Sequence, residues 1–343
     1  MRHKGSLSQP AACQIVTVLG GSGFLGRYVV RALANRGYRV RIAVRRPDLA
    51  GSLQPLGNVG QVVAVQANMR DRESIANAVQ GASAVVNLTG ILRPKGKQTF
   101  EAVHAGGAGL VAELTSPEAR LIHVSAIGAA TQSPSIYARS KAAGEAAVLA
   151  ARPDAVIIRP SVIFGPGDGF FNRLAAVARI LPVMPVLCAS TRVQPVFAGD
   201  VAEVIARAVD GEVEGGRVYE LGGPAVATMR DISVDVLKAV ERKKPIVAIP
   251  SAVASFNAFW LEFWDKVTFG LVLPQNLVFT RDQVALLKTD NVVSSEAENE
   301  GRTLKGLGIE PVAYDGLLPS YLVRFRKVGE FENVRERAYS GKR

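Results

Sequence analysis

Residues 14–26 read Gln14-Ile15-Val16-Thr17-Val18-Leu19-Gly20-Gly21-Ser22-Gly23-Phe24-Leu25-Gly26. The stretch up to Leu19 is a short β-branched run, the pattern of a buried strand. Glycines then fall at 20, 23 and 26. The first allows a tight turn out of the strand. The second lets backbone approach a pyrophosphate, and the third lets the next helix pack closely on the strand. Phe24, Tyr28 and Leu33 have helical spacing, so Phe24–Asn35 is predicted as a helix that starts near Gly23 and ends at Gly37. Its first turn offers free N–H groups to phosphates. A glycine triplet can be no more than a turn, but one set between a strand and a helix predicts a dinucleotide site.

The alternation continues outward from this unit. Strands are predicted at Arg39–Val44, Gln61–Val65, Ala84–Leu88, Leu121–Val124 and Ala155–Arg159, and helices at Ser74–Val79 and Tyr137–Ala151. Apolar strands separated by helices argue for a parallel sheet covered on both faces. The fold class is therefore α/β, a Rossmann-type doubly wound parallel sheet with a smaller C-terminal domain. Residues 1–13 read as a disordered lead-in and 14–165 as the nucleotide domain, with segments of about 190–225 returning to it. Residues 166–326 form the smaller domain and 327–343 a basic tail.

Charge separates function classes. The chain has 343 residues and a net charge of +11. Residues 1–47 contribute +9 and residues 322–343 contribute +4, so the body between them is −2. The excess sits at the two ends, which argues against a nucleic-acid-binding stripe. Two cysteines, Cys13 and Cys188, cannot make a disulfide framework, and no metal-ligand spacing is present among Cys, His3, His104 and His123. His123, inside a strand, reads as a buried and satisfied core residue. Pro245–Leu261 is uncharged but broken by Pro250, Ser251, Ser255 and Asn257, so no transmembrane helix is expected.

The second strand ends Ala43-Val44-Arg45-Arg46-Pro47. An acid there would serve a ribose 2′-hydroxyl, whereas an arginine serves a 2′-phosphate. The first acid is Asp48, so Arg45 and Arg46 favour NADP(H) over NAD(H). A solvated basic loop is the alternative.

With Tyr137-Ala138-Arg139-Ser140-Lys141, these motifs resemble the short-chain dehydrogenase/reductase superfamily in its extended or atypical branch. Ile158–Asp168, Gln194–Ala202 and Tyr219–Pro224 resemble its later segments. The resemblance implies that Tyr137 is a proton donor or acceptor. Lys141, one helical turn on, would hold the nicotinamide ribose and lower the tyrosine pKa. It also implies a cofactor set of Gly20, Gly23, Phe24, Leu25, Gly26, Arg45, Arg46, Asn68, Gly90, Ser125, Tyr137, Lys141 and Pro160. Two positions depart from the pattern. Asn68 stands where many relatives have an Asp on the adenine amine, and its carbonyl accepts the same hydrogen bond. In His123-Val124-Ser125-Ala126, the catalytic Ser or Thr register falls on Ala126, unless a one-residue shift restores Ser125. Losing such a donor costs on the order of a hundredfold in turnover. The cofactor site is expected intact and the catalytic site incomplete.

Within that superfamily, the combination of GGSGFLGRYVV, VRIAVRRP, YARSKAAGE, Phe279–Val284 and Leu318–Arg326 is similar to the NADPH-binding accessory subunits of respiratory complex I and their bacterial counterparts. The resemblance spans about 14–326. It implies NADPH held structurally and other complex I subunits of the peripheral arm and quinone-site region as partners. It implies a peripheral location on the cytoplasmic face of a bacterial inner membrane, or the matrix face of the mitochondrial one. The alternatives are an active NADP-dependent reductase, epimerase or dehydratase on a sugar nucleotide, steroid or quinone-like lipid, and an NADPH-sensing regulator. Independent catalysis is not expected.

Phe256, Phe259, Trp260, Phe263 and Trp264 form one apolar helical stripe, read either as core or as a partner or membrane surface. The basic tail from Arg324 suits anionic lipid headgroups or an acidic partner, although Glu330, Glu332 and Glu336 interrupt it.

Overall fold

The computed structural model describes residues 13–249 and 281–327, in two compact units. The first contains residues up to 132, 137–160 and 198–220; the second contains 133–136, 161–197 and residues from 221 onward. The aromatic stripe at 256–264 and the tail beyond 327 lie outside the described residues.

In chain order the strands are β1 (Ile15–Leu19), β2 (Arg39–Val44), β3 (Val62–Gln66), β4 (Ala84–Asn87), β5 (Arg120–Val124), β6 (Val156–Pro160), β7 (Ile163–Phe164), β8 (Met184–Leu187), β9 (Arg192–Val193), β10 (Val196–Phe197), β11 (Val218–Leu221), β12 (Ala227–Thr228) and β13 (Ile246–Ile249). The main helices are α1 (Phe24–Asn35), α2 (Arg72–Val79), α3 (Gly107–Leu114), α4 (Ile136–Ala151), α5 (Phe170–Ile180), α6 (Ala198–Asp210) and α7 (Met229–Ala239).

Seven strands make one sheet in the order β11-β6-β5-β4-β1-β2-β3. The pairs from β3 through to β6 are all parallel. From β1 the chain winds outward to β2 and β3, then crosses to β4 on the other side of β1. Such a reversal opens a crevice at the carboxyl ends of the strands. Val16, Val18 and Leu19 of β1 are buried because helices cover both faces, which is why the strand reads as apolar throughout. Thr17 is the polar exception, and its hydroxyl donates to the Ala78 carbonyl at 2.8 Å.

The predicted boundaries shift where side chains take over backbone roles. α2 starts at Arg72, two residues before the predicted Ser74, because the Asp71 carboxylate accepts from the N–H groups of Glu73 and Ser74. β3 starts at Val62 because Gln61 belongs to the preceding turn, its amide donating to the carbonyls of Ala34 and Tyr38. Several helical segments had no predicted bounds, α3 and α5 to α7 among them. Pro47–Leu56 is a 3-10 turn, and Glu101–Gly106 is a π-helical turn that runs into α3. Gly106, Gly107 and Gly109 lower helix propensity there and hid the pattern. Gly107 fits closely there, since a Cβ would press on Met69 at 3.0 Å.

The second unit packs Phe164, Phe171, Met184, Ile232, Val236, Leu318 and Leu322 into one core. The Leu318–Arg326 motif contributes to that core. Leu318, Leu322 and Phe325 are buried. The Tyr321 hydroxyl donates to the Asp168 carboxylate at 2.7 Å, Arg324 donates to the Asn172 side chain, and Arg326 donates to the Ala239 carbonyl. Arg326 also pairs with Glu241 at 3.1 Å. Both arginines are engaged within the unit, Arg326 with an acid among its partners. No described helix is long and apolar enough to cross a membrane, and no described cluster of His, Cys, Asp and Glu could hold a metal ion.

Candidate nucleotide-binding site

The crevice beside β1 is built from backbone. Gly20 has φ +78°, a left-handed conformation that favours glycine, and a Cβ there would come within 3.3 Å of the Leu88–Thr89 peptide. At Gly26 a Cβ would overlap the Gly21 carbonyl oxygen, so α1 can reach β1 only with glycine at this position. Gly23 is the N-cap of α1. No side chain caps this helix and no acid lies in its first turn, leaving its amide dipoles available to an anion.

Gly20, Ser22 and Gly23 line the cleft together with Ala43, Val44 and Arg45 after β2, Asn68, Met69 and Arg70 after β3, and Thr89, Gly90 and Ile91 after β4. Gln98 and Val103 complete the wall. Five of the sequence candidates, Gly20, Gly23, Arg45, Asn68 and Gly90, are thus brought together. Phe24, Leu25 and Gly26 form the first turn of α1, where Phe24 packs edge-on against Tyr28. Arg46 does not line the cleft; its guanidinium bonds Asp48 at 2.7 Å. Pro160 ends β6, and its carbonyl accepts from the Ile127 N–H. Arg70 and Gln98 were not singled out from sequence. For Arg70 a signal existed, since it lies two residues beyond Asn68 in the loop after a strand end.

α4 supplies Tyr137 and, one turn later, Lys141. Tyr137 is half-buried, meeting Phe100 at 5.9 Å and His104 at 5.4 Å edge to face. Lys141 is buried, and its Nζ donates to the Val124 carbonyl at 3.1 Å. Burial pushes the lysine pKa down to about 8, with Glu145 pulling the other way. Glu145 is itself held by Arg159 at 2.6 Å, and Arg159 also reaches Glu220 at 3.4 Å. Before α4, the Asp282 carboxylate accepts from the Ile136 N–H at 2.6 Å and the Ser135 hydroxyl at 3.0 Å.

β5 ends in His123 and Val124, and Ser125 follows it. Ser125 is buried and its hydroxyl has no partner among the described residues, while Ala126 is half-buried. His123 is buried as expected but only half satisfied. The Asn87 amide oxygen accepts from the Thr89 N–H, so its NH₂ faces His123 Nδ1 at 3.2 Å. The proton then sits on Nε2, which has no partner among the described residues. Burial, Lys141 and His104 together push the His123 pKa down to about 3.

An uncapped helix start, a glycine turn that excludes side chains, Arg45 at the mouth and an orphaned Ser125 hydroxyl suit a dinucleotide. The profile of the NAD dependent epimerase/dehydratase family matches residues 16–222, which span these elements. The chain belongs to that family. It is 34% identical over 337 residues to NADH dehydrogenase [ubiquinone] 1 alpha subcomplex subunit 9, mitochondrial, of Arabidopsis thaliana, covering 96% of this chain and 82% of that protein. It is 37% identical over 189 residues to the ceramide reductase of Caulobacter vibrioides, covering 55% of this chain and 58% of the other. The fold matches that of UDP-glucose 4-epimerase of Thermus thermophilus, solved with NAD, with a TM-score of 0.62 at 19% identity over 92% of this chain and all of that one.

Proposed function

We propose that this chain is an accessory subunit of respiratory complex I that holds NADPH as a structural ligand and stabilises the peripheral arm near the quinone site and the membrane surface. The observation that carries the proposal is the extent of the similarity to the Arabidopsis subunit. It covers 96% of the chain, well beyond the family profile that ends at residue 222. The preference for NADPH rests on Arg45 at the cleft mouth and on Asp48, the first acid after β2, being held by Arg46. The coupling is thermodynamic: a ligand at a hundredfold excess over its Kd adds about 2.7 kcal/mol to the folded state. Subunit integrity would then follow the NADPH pool.

The test is co-purification of a tagged chain from detergent-solubilised membranes, with Tm measured with NADPH, with NADH and without nucleotide. Recovery with complex I subunits and a Tm raised most by NADPH is expected. A chain found only in the soluble fraction, or one indifferent to nucleotide, overturns the proposal. A second reading, an NADP-dependent reductase, draws on the one-turn spacing of Tyr137 and Lys141 and on the ceramide reductase similarity. NADPH oxidation with a carbonyl substrate, abolished by Tyr137→Phe, would establish it.

A further inference from the structure

Of the two described histidines, only His104 has both ring nitrogens engaged. We infer that His104 is a positioning residue of the nucleotide site, its Nδ1–H imidazole tying the cleft wall at Ile91 to the helix that carries Tyr137 and Lys141. The inference rests on the cleft holding a nucleotide.

The hydrogen bonds have only one consistent direction. The Ile91 N–H can only donate, and it meets His104 Nε2 at 2.9 Å. Nε2 is therefore the lone-pair nitrogen and the ring proton is on Nδ1. Nδ1 faces the Ser140 hydroxyl oxygen at 2.8 Å. Ser140 in turn donates to the Tyr137 carbonyl at 2.7 Å. One chain of donors thus runs from the cleft wall through the imidazole to the first turn of α4. The other tautomer would set two donors face to face at Ile91, and the imidazolium would do the same.

The surroundings hold that form. His104 is 2% exposed. Its ring stacks on Phe100 at 5.5 Å and meets Tyr137 edge-on. The π-helical turn Glu101–Gly106 presents it, and Gly144 of α4 lies so close that a Cβ there would overlap the His104 carbonyl oxygen. A Cβ added at cleft-lining Gly90 would sit 3.6 Å from Lys141 Nζ and 3.7 Å from His104 Nε2. Both nitrogens therefore flank the same point of the wall. Burial, and then the Lys141 charge, push the His104 pKa down to about 3, in keeping with a neutral ring.

A satisfied core histidine would have partners of no functional consequence. Here one partner is the wall of the cleft and the other supports the turn bearing Tyr137. Replacing His104 by leucine keeps much of the bulk but leaves the buried-side bond of the Ile91 N–H unmade. Glutamine restores an acceptor at the reach of Nε2.

Two measurements test this. Long-range ¹⁵N–¹H NMR of the full chain should show His104 protonated on Nδ1 alone, unchanged from pH 8 to pH 5. A proton on Nε2 overturns the inference, whatever the nucleotide does. NADPH titrations of wild type, His104→Leu and His104→Gln form the second arm. Leucine should weaken binding roughly tenfold and glutamine should recover most of it. Unchanged affinity in the leucine variant, or equal loss in both, overturns the positioning role. Should leucine fail to fold, the glutamine variant and the wild-type spectrum still decide. A wild type that binds no NADPH sinks the nucleotide reading, while the NMR arm still judges the tautomer.

Discussion

Arg159 grips Glu145 with two parallel hydrogen bonds, Nε to Oε1 at 2.8 Å and Nη2 to Oε2 at 2.6 Å. Glu145 is buried on α4, one turn beyond Lys141. Its nearest cation along the helix would be that lysine, yet the carboxylate is committed to β6, and Lys141 Nζ is directed to the Val124 carbonyl instead. Arg159→Leu leaves a buried carboxylate without its main partner. Stability should fall by about 3–5 kcal/mol in urea unfolding. The double variant Arg159→Leu/Glu145→Leu should recover part of that loss, since it removes the unpaired Glu145 carboxylate while Glu220 still loses its contact with Arg159. Additive losses in this cycle would mean that the pair is not coupled.

Lys141 itself should oppose stability in the free protein. Its pKa falls from 10.5 in the unfolded chain to about 8 when folded. The charged form is thus disfavoured by folding. That cost is fully present below about pH 8 and fades as pH rises towards 10.5, because the folded state releases its proton first. Wild-type stability should climb through this window, and Lys141→Met should abolish the climb. At pH 7 the methionine variant should be more stable, on the order of 2 kcal/mol, and bind NADPH more weakly. Stability and affinity moving in opposite directions is the signature of a functional lysine held against its solvation preference.

The two buried histidines set the acid limit. Both His104 and His123 are pushed from 6.5 down to about 3. As pH falls through 6.5 the unfolded chain gains two protons that the folded chain refuses, so stability is lost steadily towards pH 3. The slope approaches about 1.4 kcal/mol per pH unit for each histidine. From pH 7 to pH 5 the pair should cost on the order of 3–4 kcal/mol. His123→Phe should halve that pH dependence. Retention of the full slope in this variant would move the titration to other groups.

What could be read from sequence was local. Gly20, Gly23 and Gly26 lie within one turn, and Tyr137 and Lys141 within one turn of one helix, so spacing together with the family resemblance singled them out. The His104 chain is not local: Ile91 lies 13 residues before the histidine and Ser140 lies 36 after it. The π-helical turn that joins them falls in a glycine-rich stretch with weak helical periodicity. The bonds of the C-terminal arginines are hidden for the same reason. Arg324 and Arg326 read as the start of a basic tail, and the partners that tie them to the unit, Asn172 and Ala239, are 152 and 87 residues away. Sequence also weighed Arg45 and Arg46 equally, although Asp48, two residues beyond Arg46, engages only the second of them.

That last distinction leads to the test of cofactor choice. Arg45 lines the cleft and has no ion-pair partner among the described residues, whereas Arg46 spends its guanidinium on Asp48. A 2′-phosphate at the end of β2 would therefore meet Arg45 and not Arg46. A hydrogen bond to such a charged group contributes about 1.5–3 kcal/mol, which corresponds to roughly 10- to 150-fold in Kd. Arg45→Ala should weaken NADPH by an amount in that range and leave NADH nearly unchanged. Arg46→Ala should alter either affinity less than about threefold, since an exposed pair such as Arg46–Asp48 is worth little. Titrations at fixed ionic strength separate the cases. If Arg45→Ala weakens NADH and NADPH alike, Arg45 acts through the pyrophosphate or the general field of the cleft. If only Arg46→Ala abolishes the difference between the two nucleotides, the Asp48 pair must break when nucleotide binds, and Arg46 becomes the discriminating residue.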